Sequence, residues 1–116
     1  MRYMHLDECE FDPADSEQEI VFASCQVRDF ENVGSFFEAT SSLWGFQEPP
    51  NQQLPAATYL SEATNASSFF EFLNAETELR LKSNSMAHVT FDEWDLFEVI
   101  LQCEGIFLRF RWSTTA

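Results

Sequence analysis

The chain predicts an α+β domain, an antiparallel sheet of about four to six strands with two helices on one face. Three observations predict it. Segments near both ends alternate apolar and polar residues or run in β-branched and aromatic residues, two internal segments repeat their apolar residues every three or four positions, and short polar turn sequences separate the strand-like segments of the second half.

In chain order, Tyr3, His5 and Asp7 alternate with Met4, Leu6 and Glu8, which predicts a short first strand. Residues 10–18 are an acidic, turn-like stretch containing Pro13, and residues 19–27 have the apolar, β-branched character of a second strand. The two would pair as a hairpin with a long acidic loop. The period then changes. Phe30, Val33, Phe37, the Thr40/Ser41 pair and Trp44 predict a helix over residues 30–44, capped by Asp29, weakened by Gly34 and stopped by Gly45. Residues 47–55, with Pro49, Pro50 and Pro55, read as loop, and residues 57–60 as a short edge strand. Phe69, Phe70, Phe72 and Leu73 mark a second helix over residues 66–74.

The remainder reads as a meander. Residues 78–82 alternate, Ser83-Asn84-Ser85 turns, residues 87–91 alternate again, and Asp92-Glu93-Trp94-Asp95 turns once more. Residues 96–103 lead into the turn pair Glu104-Gly105, and residues 106–112 form the clearest strand, with Ile106, Leu108, Phe110 and Trp112 on one face and Phe107, Arg109 and Arg111 on the other. One segment has two readings. Thr90 and Glu93 have capping-box spacing, and Trp94, Phe97 and Leu101 fall at helical intervals, so residues 91–103 could be a helix. A strand is preferred, because Phe97, Val99, Leu101 and Cys103 also share one strand face and run straight into a tight turn.

Composition narrows the class. At 116 residues, 45% apolar with thirteen Phe, three Trp and two Tyr, the chain can bury a core and is expected to form one domain over residues 1–116. The N-terminus lacks the apolar run of a signal peptide, and no apolar stretch approaches the ~20 residues that span a bilayer, so the expected location is cytoplasmic. Cys9, Cys25 and Cys103 are odd in number and irregularly spaced, as suits reduced structural thiols. The sequon Asn65-Ala66-Ser67 has meaning only in a secreted chain.

No catalytic motif stands out, and the chain is not expected to be an enzyme or to carry a metal or cofactor. Close carboxylates such as Asp7-Glu8-x-Glu10 and Asp92-Glu93-x-Asp95 arise readily among twenty acids. His5 and Cys9 are the one local pair with ligand spacing, short of the four ligands of a structural zinc site. Asp12, Asp15 and Glu17 lack the Gly and terminal Glu of a calcium loop. Cys25 and Cys103, among acids and apolar residues, should keep their protons. Arg80 and Lys82, and Arg109 and Arg111, fall on shared strand faces. They could form one basic patch, but neutralising nearby acids across strands is the simpler reading.

Charge carries the functional expectation. Twenty acids against six bases give a formal net charge of −14, in long stretches without a base. Such a surface repels nucleic acid and anionic membrane and attracts basic proteins. The expected role is an acidic protein-binding inhibitor, of the immunity or nucleic-acid-mimicking kind, whose partner is a basic nuclease toxin or nucleic-acid-binding enzyme. An acidic chaperone or adaptor for a secreted protein, and a domain whose charge only keeps it in solution, are the alternatives. Candidate contacts are Asp7, Glu8, Glu10, Asp12, Asp15 and Glu17 in the hairpin loop, or Asp92, Glu93 and Asp95 around Trp94 as aromatic anchor. Trp94 divides the readings: in a turn it is exposed and free to anchor a partner, whereas in the first turn of a helix it packs inward.

Overall fold

The computed structural model describes residues 2–7, 18–45, 54–82 and 84–114. Among these residues six strands, β1 (Arg2–Asp7), β2 (Gln18–Gln26), β3 (Thr58–Tyr59), β4 (Met86–Asp92), β5 (Leu96–Cys103) and β6 (Ile106–Thr114), lie in the order β1-β2-β6-β5-β4-β3. Every neighbouring pair is antiparallel. Two helices complete the α+β fold, α1 (Val33–Trp44) and α2 (Ala66–Glu76).

Turn chemistry sets the register of the central hairpin. Glu104 and Gly105 take positive φ values of 45° and 81°, and Cys103 sits opposite Ile106, so the β5–β6 link is a two-residue turn of the hand that suits strand twist. The β4–β5 link closes where the Glu93 amide donates to the Leu96 carbonyl at 2.8 Å. Residues 91–103 are therefore the end of one strand, a turn and a second strand, as preferred from the face shared by Phe97, Val99, Leu101 and Cys103. A bulge between Val89 and Phe91 sets Thr90 out of the β4–β5 pairing.

The α+β class, the antiparallel sheet and the two helices follow the expectation, but the helices take opposite faces of the sheet. Phe69 and Phe72 of α2 pack on Phe110, with ring centroids 4.7 and 5.2 Å apart, and share a core with Ile20, Phe22, Phe97, Val99, Leu101, Leu108 and Trp112. Phe36 of α1 stacks on Phe107 at 5.5 Å, in a second core with Ala23, Cys25, Phe37 and Ile100. The reason lies in the middle strands. Phe97, Val99, Ile100 and Leu101 of β5, and Phe107, Leu108 and Phe110 of β6, are all buried, so both faces of these strands need cover.

Three local expectations are corrected. Helix α1 begins at Val33, not residue 30, because Asn32 rather than Asp29 caps it, its Oδ1 accepting from the Ser35 amide at 2.9 Å; residues Val27–Asp29 form a 3-10 turn. Gly45 does end the helix, at φ 71°. Residues 78–82 form no strand. Arg80 folds back instead, donating from Nη1 to the Thr77 carbonyl at 2.8 Å and to Leu73 of the last turn of α2 at 3.4 Å, and this satisfies helix-end carbonyls at the cost of the expected alternation. The possible basic patch does not form, since Arg80 is outside the sheet and Arg109 is buried within it.

Candidate functional site

The β4–β5 turn carries the most exposed large apolar side chain among the described residues. Trp94 stands at its apex with 71% of its surface exposed, while Trp112 is fully buried and donates from Nε1 to Gln18 Oε1 at 2.9 Å. A tryptophan left in water carries a large apolar cost that packing elsewhere in this chain avoids.

The turn is held from both sides. Asp92, at its entrance, accepts from the Thr64 amide at 2.7 Å through Oδ2, and through Oδ1 from the Asn65 amide at 3.3 Å and its Nδ2 at 2.9 Å. Asn65 precedes α2 without capping it by its own side chain, so Asp92 supplies the acceptor and the negative charge that a helix N-terminus favours. Asn65 Nδ2 also donates to the Glu93 carbonyl at 3.2 Å, so the amide of the Asn65-Ala66-Ser67 sequon is engaged in the fold. At the exit, the Thr114 amide of β6 donates to the Asp95 carbonyl at 3.0 Å. Asp92 is thus a tie within the chain. Glu93 is exposed and Asp95 half-buried, and among the described residues neither carboxylate has a basic partner.

Three residues beyond Asp95, a carboxylate meets the opposite fate. Glu98 is fully buried and accepts from Arg109 Nη2 at 3.2 and 3.1 Å, from Arg111 Nη1 at 3.1 Å and from the bulged Thr90 Oγ1 at 2.8 Å. Arg109, also fully buried, donates from Nη1 to the Phe37 carbonyl, Thr40 Oγ1 and Ser41 Oγ of α1, and its guanidinium lies over the Phe37 and Trp44 rings at 4.4 and 5.1 Å. Arg111 is 22% exposed and lies over Phe91 at 5.5 Å. Cross-strand neutralisation, the simpler reading of these bases, describes this cluster. No local motif marks its centre, Glu98, but the turn pair does: counting outward from Cys103 opposite Ile106 sets Glu98 opposite Arg111.

Of the other candidate contacts, Asp7 ends β1 in register with Glu19, and Glu8, Glu10, Asp12, Asp15 and Glu17 lie outside the described residues, as does Cys9. His88 Nδ1 bonds the Pro55 carbonyl at 2.6 Å. Burial raises the pKa of both Cys25 and Cys103, reinforced by Asp29 at the first and Glu104 at the second. No group of three or more potential metal ligands forms among the described residues, and no helix among them is long and apolar enough to cross a membrane. Comparison with known proteins finds no matching protein family, curated protein or solved structure.

Proposed function

We propose that this chain is an acidic protein-binding inhibitor that neutralises a basic nuclease or other nucleic-acid-binding protein, with the β4–β5 turn as part of its contact face. One observation carries the reading. Trp94 is exposed on a turn tied at both ends, between Glu93 and Asp95 in the chain, whose carboxylates have no basic partner among the described residues. Interfaces concentrate binding energy in tryptophans of this kind beside charges that meet opposite charges. The net charge of −14 supports the same reading, because a field of one sign speeds encounter with a basic protein and places carboxylates where that protein would hold phosphate.

The test is capture of partners from the source cell, followed by kinetics. The expected partner is basic and binds nucleic acid, its association rate falls steeply between about 50 and 500 mM salt, and its dissociation rate changes less. A salt-independent association rate, or partners without excess positive charge, would overturn the proposal. The adaptor reading has one observation in its favour. Tyr59 and Met86, 51% and 49% exposed, lie opposite each other where β3 borders the sheet, an apolar pair suited to self-association. A dimer by light scattering, lost on changing both residues to Ser, would favour that reading.

A further inference from the structure

We infer that the β4–β5 turn is a seat for an arginine side chain of the partner, with the guanidinium stacked on Trp94 between Glu93 and Asp95 and with Asp92 acting as a positioning residue that touches no partner. The inference rests on the inhibitor reading and names the chemistry at its contact.

Acidic residues alone would attract any cation. The ring changes that, since a planar guanidinium covers an indole face while its edge N–H groups donate to carboxylates on either side, whereas a lysine ammonium presents no plane to stack. The chain uses this arrangement internally. Arg109 lies over the rings of Phe37 and Trp44 while donating to both oxygens of Glu98. The turn presents an exposed indole flanked in the chain by Glu93 and Asp95, with no guanidinium over it among the described residues.

Asp92 was grouped with Glu93 and Asp95 by sequence, but its carboxylate is occupied by the Thr64 and Asn65 amides and the Asn65 side chain. Its role is to fix the turn against the N-terminal end of α2, so that the indole is held before a partner arrives and less ordering accompanies binding.

The experiment uses the whole chain labelled with nitrogen-15 and two peptide probes, hexa-arginine and hexa-lysine. Three indole N–H resonances are expected from Trp44, Trp94 and Trp112, with Trp94 assigned by its loss in W94F. The Trp94 resonance should shift on adding the arginine peptide, with an affinity about threefold or more above that for the lysine peptide. Glu93→Gln with Asp95→Asn should weaken the arginine peptide about tenfold. Asp92→Asn should weaken it less and broaden the Trp94 resonance, because the turn loses its tie while the two outer charges stay. A Trp94 resonance that stays still, or equal response to both peptides, would overturn the arginine seat. The inhibitor reading would survive that result if a basic partner were still captured with a salt-dependent association rate, so the two failures are distinct.

Discussion

Glu98 and Glu93 lie five residues apart on one β-hairpin, yet the chain treats them in opposite ways. Glu98 is taken out of water and receives two guanidinium groups and a threonine hydroxyl; Glu93 is left in water beside an exposed tryptophan. Where charge serves the fold, this base-poor sequence commits two of its six Lys and Arg residues to a single carboxylate. Where acids are left without a described base, as at the turn, holding the fold together does not explain them, and the proposed partner contact would.

The greatest change is expected at the buried pole. Changing Glu98 to Ala leaves the buried Arg109 guanidinium without its carboxylate and should cost ~3 to 5 kcal/mol in urea unfolding. Replacing both groups by apolar residues, Glu98→Leu with Arg109→Met, should recover much of that loss, because the desolvation of two charges disappears with them. A single substitution costing less than ~1 kcal/mol would show that the Glu98 carboxylate contributes little to holding the cluster.

Asp92 sits between the two poles and sharpens the contrast. Removing its carboxylate by Asp92→Ala should cost ~1 to 2 kcal/mol, the range of a lost helix cap, and Glu93→Ala or Asp95→Ala should stay within ~0.5 kcal/mol of the parent. Equal costs at all three positions would mean that the ties to Thr64 and Asn65 contribute nothing distinctive.

A smaller effect comes from the thiols. With their pKa values raised chiefly by burial, Cys25 and Cys103 hold protons in the folded chain that the unfolded chain releases at lower pH. Stability is therefore full below the ordinary thiol range and declines as pH rises from there through the raised values. Between about pH 8 and pH 10, a variant with both cysteines changed to Ala should show a shallower decline in unfolding free energy than the parent. An identical slope would mean that the thiols are not the groups responsible.

Much of this architecture is legible in the sequence, and the exceptions share a physical cause. Residues 106–112, the Glu104-Gly105 turn, Gly45 and the body of both helices follow from local pattern, because period, turn chemistry and helix stops act over a few residues. The side of the sheet taken by each helix is not local. It follows from the near-continuous apolar runs in β5 and β6, which alternate too little to assign a single inner face. The role of Asp92 was hidden for the same reason, since its partners Thr64 and Asn65 lie 28 and 27 residues away and meet it only when α2 packs. Residues 78–82 alternate as a strand would, but Arg80 finds its hydrogen bonds at the end of α2. At Trp94 the strand reading of residues 96–103 was enough to expect a turn, and with it an exposed indole.

As proposed, Trp94 is kept in water for a partner and not for the fold, and one substitution bears on this alone. Trp94→Ala should leave the unfolding free energy within ~0.5 kcal/mol of the parent, as for a surface residue, and weaken binding of the captured basic partner by ~2 kcal/mol or more. A loss of ~3 to 5 kcal/mol of stability with unchanged partner affinity would contradict the account, because it would make Trp94 a core residue and remove the aromatic anchor from the proposed interface.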